Sequence, residues 1–177
     1  MTTIPAALRR LVIQRSGNRC EYCGLSQTGQ VATFHVDHIV PETAGGATIA
    51  TNLALACVSC SLRKGARQRI EDPETGEVLS IFNPRQQIWK AHFGWKGVEV
   101  VGLTAMGRAT IAALSLNRSI MLAIRVEEEF FDRHPPLWMP SRFQRRLSLV
   151  REQCKRSRWE SWTQKEFDWE RKQSDRI

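Results

Sequence analysis

Three stretches decide how this chain reads: Cys20-Glu21-Tyr22-Cys23-Gly24, Phe34-His35-Val36-Asp37-His38-Ile39-Val40-Pro41, and Cys57-Val58-Ser59-Cys60. A Cys-x-x-Cys turn aims two thiolates at one point, and two such turns complete the tetrahedral four-sulfur shell that structural Zn²⁺ prefers. The two pairs are separated by 33 residues, and Gly24 suits the tight turn after the first. Cys20, Cys23, Cys57 and Cys60 are therefore read as one zinc site. The fifth cysteine, Cys154, has no partner in this pattern and reads as an ordinary helix or surface thiol.

Between the knuckles, Val31 to Val40 is rich in β-branched and aromatic residues and reads as a strand or tight hairpin stopped by Pro41. Alternation puts His35 and Asp37 on one face and His38 on the other, unless a bulge re-aims them. That arrangement suits a carboxylate metal ligand beside an imidazole facing water. A lone strand histidine is usually structural, but His38 stands next to an acid inside a four-cysteine frame.

Working outward, residues 5–15 place Leu8, Leu11 and Val12 on one face at helical spacing, with Pro5 suited to the first turn and Ser16-Gly17-Asn18 as the stop. Thr51 to Arg63 reads as a turn leading into a short helix that Gly65 caps. Asp72 to Glu77 is a turn, Val78 to Phe82 and Val98 to Val101 are short strands, and Trp89 and Trp95 read as core residues of this middle region. Helices are expected over about 104–116 and 119–132, with Ile111, Leu114, Ile120, Leu122, Ala123, Ile124 and Val126 forming a hairpin packed on the module. His134-Pro135-Pro136 ends it.

The formal charge of +8 favours polyanionic partners through phosphate contacts. Residues 1–70 carry 8 Lys/Arg against 3 Asp/Glu, 71–136 carry 7 against 9, and 137–177 carry 11 against 6, so the excess lies at the two ends. No apolar run approaches the roughly 20 residues of a membrane span. The arginine-containing start does not read as a secretory signal, so a cytoplasmic setting is expected, where paired cysteines are metal ligands more often than disulfides.

Taken in order, Gly17-Asn18-Arg19-Cys20…Cys23-Gly24, His35-Val36-Asp37-His38-Ile39-Val40-Pro41, Gly45-Gly46, Asn52-Leu53, Cys57…Cys60 and Lys64-Gly65 resemble the four-cysteine subgroup of HNH endonucleases over about residues 15–65. The resemblance implies a zinc-stapled ββα-metal module at 1–70; with the α/β extension of short strands and a helical hairpin read over 71–136 and the basic, Trp-rich helical or partly disordered tail at 137–177, the expected fold class is α+β. It implies that Asp37 ligates a catalytic Mg²⁺ or Mn²⁺, that His38 is the general base, and that Asn52 holds the loop and orients His38 by hydrogen bonding. It implies DNA, in preference to RNA, as the nucleic-acid partner. Where the family has His or Asn after the last cysteine, as the second metal ligand, this chain has Ser61, a shorter and weaker ligand for a hard cation. His35, on the Asp37 face, either compensates for it or is a half-buried strand residue.

Arg63, Lys64, Arg67 and Arg69 follow this site and are read as phosphate contacts. In the tail, the spacing of Trp159, Trp162 and Trp169 fits a helix docking on its own core or on a second chain as a homodimer, ahead of base stacking. Against a metal-dependent DNA endonuclease stand two rivals: a zinc-stabilised nucleic-acid-binding module whose nuclease site has decayed, and a four-cysteine interaction scaffold. Neither rival needs Asp37, His38 or Asn52, because a zinc frame is stable without them.

Overall fold

The computed structural model describes residues 3–136. The chain divides into two units, 1–139 and 140–177, so the expectations for Cys154 and the tryptophan-rich tail lie outside the described residues.

Helix α1 spans Ala6–Arg15, with Pro5 at its N-cap. It buries Val12 and half-buries Leu8, while Leu11 faces solvent. The inward row is Ile4, Leu8 and Val12, spaced by four and flanked by Ile13, because residues four apart stack along one helix face. Beyond α1 the chain turns through left-handed Gly17 and Asn18 into the first knuckle, where the Cys20 amide donates to the Leu25 carbonyl (2.9 Å).

Only His35–His38 of the expected Val31–Val40 strand is extended in a ladder, as β1. Val31 is fully exposed, and the chain before Phe34 is held by a side chain instead of a partner strand. The Gln27 amide donates to the Ala32 carbonyl (3.0 Å) and accepts from the Phe34 amide (2.6 Å). The partner of β1 is β2, Leu53–Ala56, antiparallel with His35 opposite Ala56, Val36 opposite Leu55, Asp37 opposite Ala54 and His38 opposite Leu53. This stretch, read from sequence as a turn, is buried at all four positions, so it lacks the alternation that marks a half-buried strand. Glu21 covers its free edge: the Glu21 amide donates to the Leu55 carbonyl (2.8 Å), its carboxylate accepts from the Leu55 amide (2.9 Å) and also pairs with Arg85. Edge groups satisfied in this way cannot recruit another strand.

Helix α2, Val58–Lys64, comes directly after β2 and ends at Gly65. Then come two hairpins, β3 (Arg69–Glu71) with β4 (Val78–Ser80) and β5 (Phe93–Lys96) with β6 (Glu99–Gly102), with the short helix α3 (Trp89–His92) before β5. The turn between β3 and β4 is pinned to helix α4, Ala105–Leu114: the buried Asp72 carboxylate accepts from Arg108 Nε (3.1 Å) and from the Thr75 hydroxyl (2.9 Å). Helix α4 packs on α2, β3, β4 and β6. The last helix among the described residues, α5, spans Ser119–Phe130 and meets α4 at a bend of 101°. No single helix among the described residues is long and apolar enough to cross a membrane.

The apolar pattern misleads in α5. Its buried residues are Met121, Arg125 and Glu128, whereas Ile120, Ala123 and Val126 are exposed. Charge enters the core here with partners for most of its polar atoms, Arg125 Nε and Glu128 Oε2 being left without a hydrogen bond. Arg125 donates to the carbonyls of Val98 (3.0 Å) and Leu116 (2.9 Å) and to Asn117 Oδ1 (3.3 Å), and Glu128 pairs with Arg133 (2.9 Å). Trp89 is buried and Trp95 half-buried; they stack at 5.3 Å, and the Trp89 indole N–H donates to the Tyr22 carbonyl inside the first knuckle (2.9 Å).

His134 closes this region, edge-on to Trp95 at 4.5 Å, with Nε2 buried and unpartnered. Burial, then the charge of Arg125, pushes its pKa down from 6.5 to about 4. The unfolded chain therefore binds the extra proton between about pH 4 and 6.5, so this contribution to stability is full above 6.5 and is lost as pH falls towards 4. In thermal melts across that window, His134→Phe should lose less Tm on acidification than the natural sequence; equal losses would mean His134 is not a source of acid sensitivity.

Candidate active site

The four sulfurs of Cys20, Cys23, Cys57 and Cys60 are buried and lie within 4.8 Å of one another, and none is in a disulfide. Cys23 and Cys57 Sγ are 3.7 Å apart. Zinc–sulfur bonds of about 2.3 Å in a tetrahedron require sulfur separations of about 3.8 Å, close to the Cys23–Cys57 spacing, so the four thiols suit the ion. The second pair is set by helix geometry: Cys57 is the N-cap of α2 and its sulfur accepts from the Cys60 amide (3.4 Å). The donor set is all thiolate and closed, which suits a structural ion.

Four thiolates around Zn²⁺ leave a net charge of −2, which is costly to bury unless a cation accompanies it. Burial lifts the Cys20 thiol well above its ordinary range. Hydrogen bonds from the other three thiols hold Cys23 well below its own, and Arg125 reinforces that. Arg125 is fully buried and, among the described residues, makes no ion pair with a carboxylate. Its guanidinium lies over the Trp95 ring at 5.3 Å. Its positive charge favours the Cys23 thiolate, behind the hydrogen bonds of the other three thiols. An arginine inside the apolar run Ser119-Ile120-Met121-Leu122-Ala123-Ile124-Arg125, four residues after Met121, is the signal of it that the sequence carries.

A second centre lies on β1. Val36 points into the core, and α2 lies against the strand. His35 Nδ1 is 3.0 Å from Ser61 Oγ, and the Lys64 ammonium, one helical turn further along α2, donates to the His38 carbonyl (2.9 Å). Asp37 is the charge that favours the ammonium of Lys64 against the dominant effect of burial, which lowers its pKa. Asp37 also opposes ionisation of the buried Tyr22 hydroxyl, whose pKa is raised first by burial and then by Cys20. The carboxylate of Asp37 and the hydroxyl of Ser61 are hard oxygen donors, the kind that Mg²⁺ or Mn²⁺ takes.

His38 Nε2 is held by the Thr48 hydroxyl (2.9 Å). Asn52 does not bond the ring. Its Oδ1 accepts from the Val40 amide (2.9 Å), and its Nδ2 donates to the carbonyls of Val40 and Ala47 (both 3.0 Å). Asn52 thus clamps the loop that carries Thr48, and Thr48 carries the imidazole. Gly46 is required beneath this clamp, since a Cβ there would stand 1.8 Å from the Val40 carbonyl oxygen. Thr48 gives no signal in the sequence, because one threonine in a loop carries no pattern.

Of the basic cluster, Lys64 is the exception to the expected phosphate role: it is 1 % exposed and spent on backbone carbonyls. Arg63 donates to the Ser115 hydroxyl (3.1 Å) and Arg67 to the Ala113 carbonyl (3.3 Å), both at the C-terminal end of α4, where cations are favoured. Arg67 and Arg69 are exposed, the latter donating to the Val78 carbonyl (3.2 Å).

The sequence model of the HNH endonuclease family matches residues 20–67, a span that holds both centres. Comparisons with curated proteins and with solved structures gave no match.

Replacing Arg125 with Met should keep one zinc per chain in freshly prepared protein but speed its loss to a chelator by about ten- to a hundredfold, the range for removing a supporting residue of a metal site. Unchanged release kinetics would show that the guanidinium does not balance the thiolates.

Proposed function

We propose that the HNH domain formed by residues 20–67 is the core of a metal-dependent endonuclease that hydrolyses DNA phosphodiester bonds. The observation that carries this reading is the Thr48–His38 contact beside Asp37, on a loop that Asn52 clamps at Val40 and Ala47, which a zinc-stapled scaffold does not need. In the tautomer that donates Nε2–H to Thr48 Oγ1, His38 would offer the lone pair of Nδ1 to a water as a general base. Asp37, with Ser61 facing it from α2, would hold the divalent cation. When bound, that ion stabilises the charge growing on the phosphate and on the leaving O3′. Arg67 and Arg69, exposed and following α2 in the chain, would serve phosphates of the same strand. A reducing, cytoplasmic setting suits a centre of four thiolates.

One site cuts one strand, so a duplex break requires two encounters or a dimer. Ser61 favours the second reading, a nucleic-acid-binding module with a decayed site, because it replaces the stronger ligand expected after the last cysteine.

Cleavage of plasmid and single-stranded DNA, with RNA as the control, should depend on Mg²⁺ or Mn²⁺, stop with EDTA, and fall by about 10²- to 10⁴-fold in His38→Ala. Thr48→Val should lower the rate less and shift the pH profile, since it frees the ring without removing it. Silence from the natural sequence with cleavage by Ser61→Asn would select the decayed-site reading, and undiminished cleavage by His38→Ala would refute the catalytic assignment.

A further inference from the structure

We propose that His35 is a second protein ligand of the cation held by Asp37, and that the site consequently selects Mn²⁺ and other first-row transition ions over Mg²⁺. This rests on reading β1 as the cation-binding strand.

Three observations converge. First, His35 and Asp37 are two residues apart in β1 with Val36 buried between them, so both project from the same side of the pleat. Two strand positions separate their Cα atoms by about 6.6 Å, a span that an imidazole and a carboxylate close by inclining towards one ion. Second, their cross-strand neighbours on that side are Ala56 and Ala54. The β2 residues opposite the two ligands are thus alanines, so no bulky side chain of that strand stands beside them. Third, the imidazole is drawn towards α2: Nδ1 is within hydrogen-bond distance of Ser61 Oγ, the residue at the second ligand position. His35 is otherwise exposed, so this contact is what fixes its ring.

The donors decide the chemistry. Serine, neutral and short, is a poor replacement for a carboxamide or imidazole at that position, and Mg²⁺ bound by one carboxylate and one hydroxyl would rely largely on water. An imidazole nitrogen changes the preference, because nitrogen ligands favour the later first-row ions. Ser61 then acts as the hydrogen-bond partner that sets the ring's angle, the usual role of an outer contact to a metal-bound histidine.

The test uses the zinc-loaded full chain. Titration calorimetry should show Mn²⁺ binding at least about tenfold tighter than Mg²⁺. Electron spin-echo spectroscopy of bound Mn²⁺ should show a coupled ¹⁴N nucleus that persists in His38→Ala and disappears in His35→Ala. His35→Ala should weaken Mn²⁺ by about ten- to a hundredfold and move Mg²⁺ by much less. Persistence of the nitrogen coupling in His35→Ala, or equal losses for the two ions, overturns the proposal. Asp37→Ala separates the two levels of the argument. If it abolishes binding while His35→Ala leaves Mn²⁺ affinity unchanged, this inference alone fails; if it leaves binding intact, the cation is not held on β1 and the functional reading fails with it.

Discussion

Four sulfurs gathered from two turns impose most of this fold's arrangement. Cys20 and Cys23 sit after α1, and Cys57 and Cys60 sit at the start of α2, so joining them fixes α2 against the β1–β2 hairpin. That placement sets Ser61 opposite His35 and Lys64 under the His38 carbonyl. It also creates an electrostatic demand, because thiolates removed from water need a cation nearby. Arg125 contributes a favourable charge from a helix more than a hundred residues downstream of Cys23, and the Val98 and Leu116 carbonyls that hold the guanidinium tie the β5–β6 turn and the α4–α5 junction into the same arrangement. The Trp89 indole adds a second tie to the first knuckle through the Tyr22 carbonyl.

A second constraint, independent of metal, shapes the loop between β1 and β2. The Asn52 carboxamide uses both ends to imitate a strand partner for Val40 while also holding Ala47. Gly46 passes so close to Val40 that no side chain is tolerated. The result is a loop with little freedom, and Thr48 inherits that rigidity when it grips the His38 ring. Catalytic groups on loops depend on such fixation, since an imidazole free to rotate loses alignment with its water.

Legibility in the sequence tracks how local each signal is. The cysteine knuckles, the capping Gly65, and helices α1, α4 and α5 announce themselves through spacing within a few residues. Strand β2 does not, because Leu53-Ala54-Leu55-Ala56 is buried on both sides and has no period, and its edge is satisfied by Glu21 from 34 residues away. The inward face of α5 is equally hidden: Arg125 and Glu128 look like surface residues until their partners are known. Within the site, Asp37, His38 and Asn52 stand out by type and order. Thr48, the burial of Lys64 and the contact between His35 and Ser61 depend on tertiary placement that no spacing encodes.

The position of Arg125 bears on how portable this domain is. The matched family span ends at residue 67, yet the charge that suits its sulfur cage enters from α5. A recombination event that moved residues 20–67 into a new host protein would carry the cage and the β1 residues but leave their electrostatic complement behind. Such a transplant would gain from a recipient that already offered a buried cation at the same spot. The extension and the module are therefore expected to be inherited together, as one unit of exchange.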